Sequence, residues 1–314
     1  MDFDFEAPLE ELKEKIKLLD EKAAAGDVVA SGKAAQLRKK LEAQTARIYA
    51  TLEPWDKVQL ARHPGRPTIT RYSKEMCDDF VEIHGDRVFG DDPAMLCGFA
   101  RIGEQRFMLI GHRKGDTVEQ NIEYNFGMAN PEGYRKAMRA MHLAEKWHLP
   151  VVTMVDTSGA FPGLEAEARG QAEAIGRNLM EMAALETPIL TIVTGEGGSG
   201  GALGIAVGDR ILMLENAVYS VISPEGCASI LWRDGTKAPE AAKALHITSN
   251  DLAELNVIDG IIPEPVGGAH SNPEATMENV KVAILNGLKE LSKISSSHLT
   301  ENRYKKFAAI GRFN

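Results

Sequence analysis

The chain has 314 residues, 44% of them hydrophobic and 26% charged, with a net charge of -9 at pH 7. That length buries a sizeable core as one large domain or one domain with an extension, and the acidic balance excludes nucleic acid as the main partner, because phosphate binding needs a basic surface. No apolar run is long enough to span a membrane, so no membrane role is expected.

The acidic start Met1-Asp-Phe-Asp-Phe-Glu6 lacks the basic and apolar regions of a signal peptide. Cys77, Cys97 and Cys227 fit a reducing cytosol and form no Cys-x-x-Cys pattern. A cytoplasmic chain that binds no metal is the expectation.

Residues 8–50 read as a helical hairpin: Leu9, Leu12, Ile16 and Leu19 repeat at three and four residues, as do Leu37, Leu41 and Ile48 after Gly26 and Gly32. Pro54–Pro67, with three prolines, reads as a wrapping linker whose Arg62, His63 and Arg66 are candidate anion ligands. A helix is expected over Ser73–Ile83 with Ser73 as its cap. Strands are expected over Cys97–Ile102 and Arg106–Gly111 around a turn at Gly103-Glu104. Gly111-His-Arg-Lys-Gly115 then sets Arg113 and Lys114 beside glycine, a second candidate for an acidic ligand. Asn130-Pro131-Glu132 is a helix start, and that helix should run to about Trp147.

From Pro150 strand and helix alternate: strand Val151–Val155, loop Asp156–Gly163, helix Glu165–Leu185, strand Ile189–Val193, a glycine turn at 195–201, a short helix over Ala202–Val207 and strand Arg210–Leu214. This spacing implies an α/β fold of parallel strands and crossover helices, with the loops 156–163 and 195–201 at one sheet edge. Val218–Ile222 reads as a further strand, and Ser223-Pro224 as the cap and first turn of a helix. The remainder reads as helical with one break at Gly260–Gly268, a helix over Asn272–Leu291, and a tail from Ser295 that is mobile at first, with Tyr304, Phe307 and Ile310 able to dock. The expected divisions are 1–70, hairpin and linker; 71–294, the main domain; and 295–314, the tail.

The stretch Thr194–Gly208 is the chemical centre. Five glycines between Gly195 and Gly201 let bare N–H groups approach a ligand where a helix begins, a geometry that holds negative charge. Gly200, Gly204 and Gly208 fall four apart and allow close packing. Gly197-Gly-Ser-Gly-Gly201 also satisfies G-x-S-x-G, the elbow of a serine nucleophile. A hydrolase of that kind needs a later histidine (His246, His270 or His298) and an acid such as Asp156. A dinucleotide site fits poorly, since the glycine spacing is wrong. A third reading needs no nucleophile: paired backbone amides stabilise an enolate or related oxyanion, and Ser199 is a hydrogen bonder or turn former.

Several long stretches in one order, Glu196–Gly204, Tyr219–Gly226, Asn125–Ala129 with Pro131–Lys136, and His84–Arg87 with Asp91–Ala94, resemble the α subunits of bacterial acetyl-CoA carboxylase carboxyltransferases. With Trp55-Asp56, Ala61–His63 and Gly267–His270, the resemblance covers nearly the whole chain. It implies a crotonase-like (ClpP/crotonase) spiral of ββα units. It also implies an α2β2 heterotetramer whose β subunit carries a zinc ribbon, with a biotin carboxyl carrier protein and biotin carboxylase as further partners. The implied reaction moves a carboxyl group from carboxybiotin on the separate carrier to acetyl-CoA, a CoA thioester, giving malonyl-CoA for fatty-acid synthesis.

By the same resemblance, this chain supplies the oxyanion hole on the biotin side. The amides of Gly200 and Gly201 are its expected donors, and Gly197, Gly198 and Ser199 lie around them. Gly159, Phe161 and Gly163 form an adjacent wall, the Ser223–Gly226 turn supports it, and Arg113 and Lys114 contact CoA phosphates or the carboxylate. The chain departs from the family pattern at Ser158, at Phe161 in place of a tyrosine, and at Ala168 in place of a glutamate. These departures put in doubt a role for the tyrosine hydroxyl or the glutamate carboxylate, and leave the backbone donors untouched.

Overall fold

A computed structural model describes residues 3–311; residues 1–2 and 312–314, the outer ends of the N-terminal and C-terminal segments, lie outside it. The hairpin forms as helices α1 (Ala7–Ala24) and α2 (Val28–Tyr49). Asp27 caps α2, its carboxylate accepting the amides of Val29 and Ala30. Leu9, Leu12 and Ile16 are buried along with Ala30 and Ala34, while Gly32 lies inside α2 rather than at a break.

The expected linker is instead partly helical. Pro54 opens α3 (Pro54–Ala61), and the Asp56 carboxylate accepts the Glu53 amide at 2.9 Å. A proline costs nothing at the first helical position, where its missing N–H has no partner to lose. The helix expected over 73–83 is also corrected. Helical turns occupy Ile69–Met76, with Ser73 inside the last of them, and Asp79–Glu82 is strand β1. β1 pairs antiparallel with β2 (Met95–Ile102), where Arg101 Nε meets Asp79 Oδ2 at 2.7 Å.

One eight-stranded sheet carries the fold. β2 turns at Gly103 into β3 (Gln105–His112), and β4 (Val151–Thr157), β5 (Ile189–Gly198), β6 (Arg210–Leu214) and β8 (Gly260–Ile262) follow in parallel. The short β7 (Val218–Ser220) pairs with the far end of β5, at Glu196–Gly198. β5 therefore changes neighbours along its length, from β6 at Leu190–Val193 to β7 at Glu196–Gly198. β8 lies within the expected glycine-and-proline break.

Helix α4 (Pro131–Lys146) starts after Asn130 as expected. The expected helix 165–185 is two: Leu164–Ala168 and α5 (Gln171–Ala184), parted where Gly170 takes φ +86°. Helix α6 is Ser199–Leu203, α7 is Pro224–Trp232 and α8 is Pro273–Leu291. The expected tail forms helix α9 (Ser296–Ala309). Its anchor is Arg303, only 1% exposed, which bonds both Asp209 carboxylate oxygens and the carbonyls of Leu185 and Thr187. Of the expected docking side chains, Phe307 is half-buried and Tyr304 is exposed. Among the described residues no helix is long and apolar enough to cross a membrane.

Candidate active site

The glycine stretch is not a free loop. Its first four residues extend β5 and the next begins α6, with no turn between them. The strand holds because β4 and β7 bond it on both sides, Gly197 pairing with Thr157 and with Tyr219. Gly195, Gly198 and Gly201 answer to close approach by the loop 156–163, and Gly197 to the Tyr219 ring. A Cβ on Gly195 would lie 2.4 Å from Asp156 Oδ1, one on Gly198 2.1 Å from the Ser158 carbonyl oxygen, and one on Gly201 2.3 Å from the Ala160 nitrogen. The two loops do meet at one sheet edge, and packing accounts for more of this cluster than its sequence suggests. Gly200 is the exception: a Cβ there meets nothing nearer than Ile175 Cγ2 at 3.9 Å.

At the start of α6, Gly200 is half-buried and Gly201 is buried. Neither amide has a hydrogen-bond partner among the described residues outside the helix. They are among the donors that the first turn of any helix leaves unpaired. Ser199 enters this turn with φ +53°, the left-handed region. Its side chain, with Leu203, Tyr219, Val221, Leu252 and Phe307, lines an apolar cavity of about 300 Å³.

Beneath the helix the Gly201 carbonyl accepts two side-chain donors, His112 Nε2 at 3.2 Å and Tyr134 Oη at 3.1 Å. Burial pushes the His112 imidazole down to about 4, so it is neutral at pH 7. A carbonyl only accepts, so the proton sits on Nε2. The sequence reading missed both residues. The available signals were a histidine closing the apolar run Phe107–Gly111 and a tyrosine on the buried face of α4.

The expected cations are already engaged. Lys114 Nζ lies 2.6 Å from Asp156 Oδ1, which also accepts the Glu196 amide. Arg113 Nη2 lies 2.5 Å from Glu82 Oε1, and its guanidinium sits over the Tyr124 ring. Arg62 bridges Glu196 and Glu225, Arg66 is buried against Glu264 and the Thr194 carbonyl, and the His63 ring stacks on His270 at 3.8 Å. Of the residues anticipated to hold an anion, Arg62 and Arg66 thus hold this chain's own carboxylates, and His63 holds none.

The residues expected to form the wall and the turn are held by the chain's own hydrogen bonds. Phe161 N–H donates to the Ala129 carbonyl, Gln171 donates to the Phe161 carbonyl, and the Phe161 ring lies against Gly163. Gly159 takes φ +156°, with Thr157 Oγ1 bonding its carbonyl at 2.7 Å. Ser223 caps α7 by accepting the Gly226 amide at 3.1 Å. Ser158 and Ala168 are both exposed.

A serine elbow is not assembled. Among the described residues no histidine bonds Ser199: His270 stacks on His63, His298 bonds Ser295 and His246 lies by Asp251. Asp156, the candidate orienting acid, is held by Lys114. With no base bonded to it among the described residues, Ser199 Oγ is not set up as a nucleophilic alkoxide.

Residues 2–311 match the family model described as acetyl co-enzyme A carboxylase carboxyltransferase-like. The chain is 53% identical over 308 residues to the acetyl-coenzyme A carboxylase carboxyl transferase subunit alpha of Syntrophotalea carbinolica, covering 98% of this chain and 97% of that one. It is 48% identical over 313 residues to the subunit of the same name from Thermus thermophilus, covering 100% and 99%. Among solved structures, transcarboxylase 12S superposes with a TM-score of 0.59 at 17% identity over 73% of this chain, which spans 42% of that chain's length. A Pseudomonas malonate decarboxylase hetero-tetramer gives 0.57 at 14% identity, covering 70% of this chain and 89% of that one. The fold they share is the crotonase-like spiral, in agreement with the expectation. On sequence and fold together, the chain belongs to the acetyl-CoA carboxylase carboxyltransferase α-subunit family.

Proposed function

We propose that this chain is the α subunit of a biotin-dependent acetyl-CoA carboxyltransferase, transferring a carboxyl group to the methyl carbon of acetyl-CoA to give malonyl-CoA. The donor is carboxybiotin on a separate biotin carboxyl carrier protein. A carboxyltransferase β subunit completes the site in an α2β2 assembly, within a wider complex that includes biotin carboxylase.

The carrying observation is the start of α6, where the Gly200 and Gly201 amides have no partner among the described residues and a side chain at Gly200 would enter open space. Transfer leaves negative charge on the ureido oxygen of the donor and on the thioester oxygen of the acceptor. Fixed N–H groups aimed at such an oxygen stabilise it, each worth ~3–4 kcal/mol in the transition state. In this reading the Gly200 and Gly201 amides hold the biotin-side oxygen, with Gly197, Gly198 and Ser199 shaping their approach. Gly159, Phe161 and Gly163 wall the site, and the Ser223–Gly226 turn is tied to β5 through Glu225, Arg62 and Glu196. Lys114 and Arg113 steady the neighbouring loops through Asp156 and Glu82, which leaves most of the CoA contact to the β subunit.

An exposed apolar surface beside the Ser223 turn supports a partner chain there. Val221 is 75% exposed, and Ile230, Leu231 and Trp232 stand open on α7. Large apolar side chains left exposed close together in sequence are what a partner chain would cover. The test assays biotin-dependent decarboxylation of malonyl-CoA by this chain alone, by a matching β subunit alone and by the mixture. Activity confined to the mixture is expected, and a verified complex without activity overturns the assignment.

A further inference from the structure

Helix α6 spans five residues, so it satisfies few of its own carbonyls. Gly200 O accepts the Gly204 amide and Ala202 O the Ile205 amide, but among the described residues the Gly201 carbonyl between them has no backbone donor. His112 at the end of β3 and Tyr134 in α4 take both of its places. The Gly201 carbonyl shares its rigid peptide unit with the Ala202 amide, so two donors on that carbonyl anchor one end of Gly201, whose other end carries the Gly201 amide and joins it to Gly200.

The clamp continues behind the helix. Asn178 of α5 donates to the Gly204 carbonyl at 3.0 Å and to the Tyr134 carbonyl at 2.9 Å. The Tyr134 ring lies where a Cβ on Gly204 would fall, 2.7 Å away. His112 is 1% exposed, and its Nδ1 is buried with no hydrogen-bond partner among the described residues. An unpaired buried nitrogen costs stability, so packing alone would be better served by an apolar side chain. The bond from Nε2 is what the imidazole contributes.

We propose that His112 and Tyr134 are positioning residues for the anion-binding start of α6, holding the Gly201 carbonyl so that the Gly200 and Gly201 amides point at the reacting oxygen. The inference rests on the carboxyltransferase reading above. Neither side chain contacts the substrate; both act through the backbone they fix. Small displacements of a group that must meet a reacting atom carry large rate costs, up to ~100-fold for an ångström.

The test uses the complex with the β subunit and compares Tyr134→Phe, His112→Leu and His112→Gln. The glutamine places an amide donor at about the reach of Nε2. Expected are a roughly tenfold lower kcat in Tyr134→Phe and His112→Leu with KM for malonyl-CoA unchanged, and recovery to within about threefold in His112→Gln. Amide hydrogen exchange over residues 199–205 should quicken in the first two variants only. Unchanged kcat in both, or a glutamine no better than leucine, overturns the proposal. If His112→Leu does not assemble, Tyr134→Phe, which removes one oxygen, decides alone. Inactivity of the wild-type complex overturns the carboxyltransferase reading instead, and exchange over 199–205 then judges the clamp: unchanged rates in the variants reject it.

Discussion

Arg62 and Glu196 are joined by two donors on one oxygen, Nε at 3.0 Å and Nη2 at 2.7 Å from Oε1. The same guanidinium reaches Glu225 Oε1 at 2.5 Å, so one side chain from the end of α3 ties the last turn of β5 to the first turn of α7. Burial pushes the Glu225 carboxyl up, but the Arg62 hydrogen bond and charge, with hydrogen bonds from the Glu225 amide and Ser223, together outweigh it and leave it below the usual carboxylate range. Arg62→Met removes the charge and keeps the stem, stranding Glu196 at 10% exposure. The expected loss is about 3 kcal/mol, the low end for a buried pair broken on one side, because Arg62 itself is 28% exposed. Urea denaturation checks it; a loss below about 0.5 kcal/mol would put the pair among solvated surface bridges.

Gly201→Ala and Gly200→Ala should differ in kind. The first sets a methyl 2.3 Å from the Ala160 nitrogen and 2.4 Å from the Gly159 carbonyl carbon, backbone that cannot yield cheaply, and should cost folding. The second enters open space. Thermal melts should show Gly201→Ala well below wild type and Gly200→Ala within a few degrees. Equal melting temperatures would contradict the packing of the loop 156–163 on α6.

Ser199→Gly should be more stable than wild type by ~1 kcal/mol, since φ +53° strains any residue with a Cβ. It should also keep activity in the complex, because no base is bonded to Oγ among the described residues. Loss of activity together with labelling of wild-type Ser199 by a fluorophosphonate would restore the nucleophile reading.

Arg303→Met should lower stability by about 3–5 kcal/mol, the cost of leaving Asp209 buried without its partner. The Asp209 side chain is 5% exposed and Arg303 holds both its oxygens. Chemical denaturation measures this, and limited proteolysis should then cut within Ser296–Ala309.

How far the sequence carried the fold follows from these residues. The strands at 97, 106, 151, 189 and 210, and the helix starts at Asn130 and Ser223, were legible because apolar runs and caps are local signals. Helix α9 was not: its anchor pairs Arg303 with Asp209 across 94 residues, and nothing nearby announces a buried arginine. β1 was read as helix because four residues at a sheet edge carry too little period to outvote their flanks. The glycines of the site were found, but the expected free loop became strand, since glycine lacks strand propensity and only β4 and β7 impose it. His112 and Tyr134 meet Gly201 across 89 and 67 residues, a juxtaposition made by the topology alone.

Acid should loosen the contact between His63 and His270. The His63 and His270 rings stack at 3.8 Å, and both are pushed down to about 4, by burial first, then by each other's proximity for His63 and by Arg66 for His270. Between the unfolded value of about 6.5 and about 4 the folded chain binds fewer protons than the unfolded one. Their contribution is therefore complete above about 6.5 and lost as the pH falls toward 4. The urea midpoint should drop from pH 7.5 to pH 5, and His270→Phe should drop less. Asp92, raised by burial to about 6, acts in the opposite sense but equally in both proteins. An identical drop in both would contradict the stacked neutral pair.

The most direct measurement compares Ser199→Ala with Gly200→Val in the assembled complex, by steady-state decarboxylation of malonyl-CoA with biotin. If backbone amides at the start of α6 carry the chemistry, Ser199→Ala keeps kcat within about threefold, while a branched side chain at the open Gly200 position lowers it at least about a hundredfold, the scale of one lost oxyanion donor. A dead Ser199→Ala beside an active Gly200→Val would contradict the account.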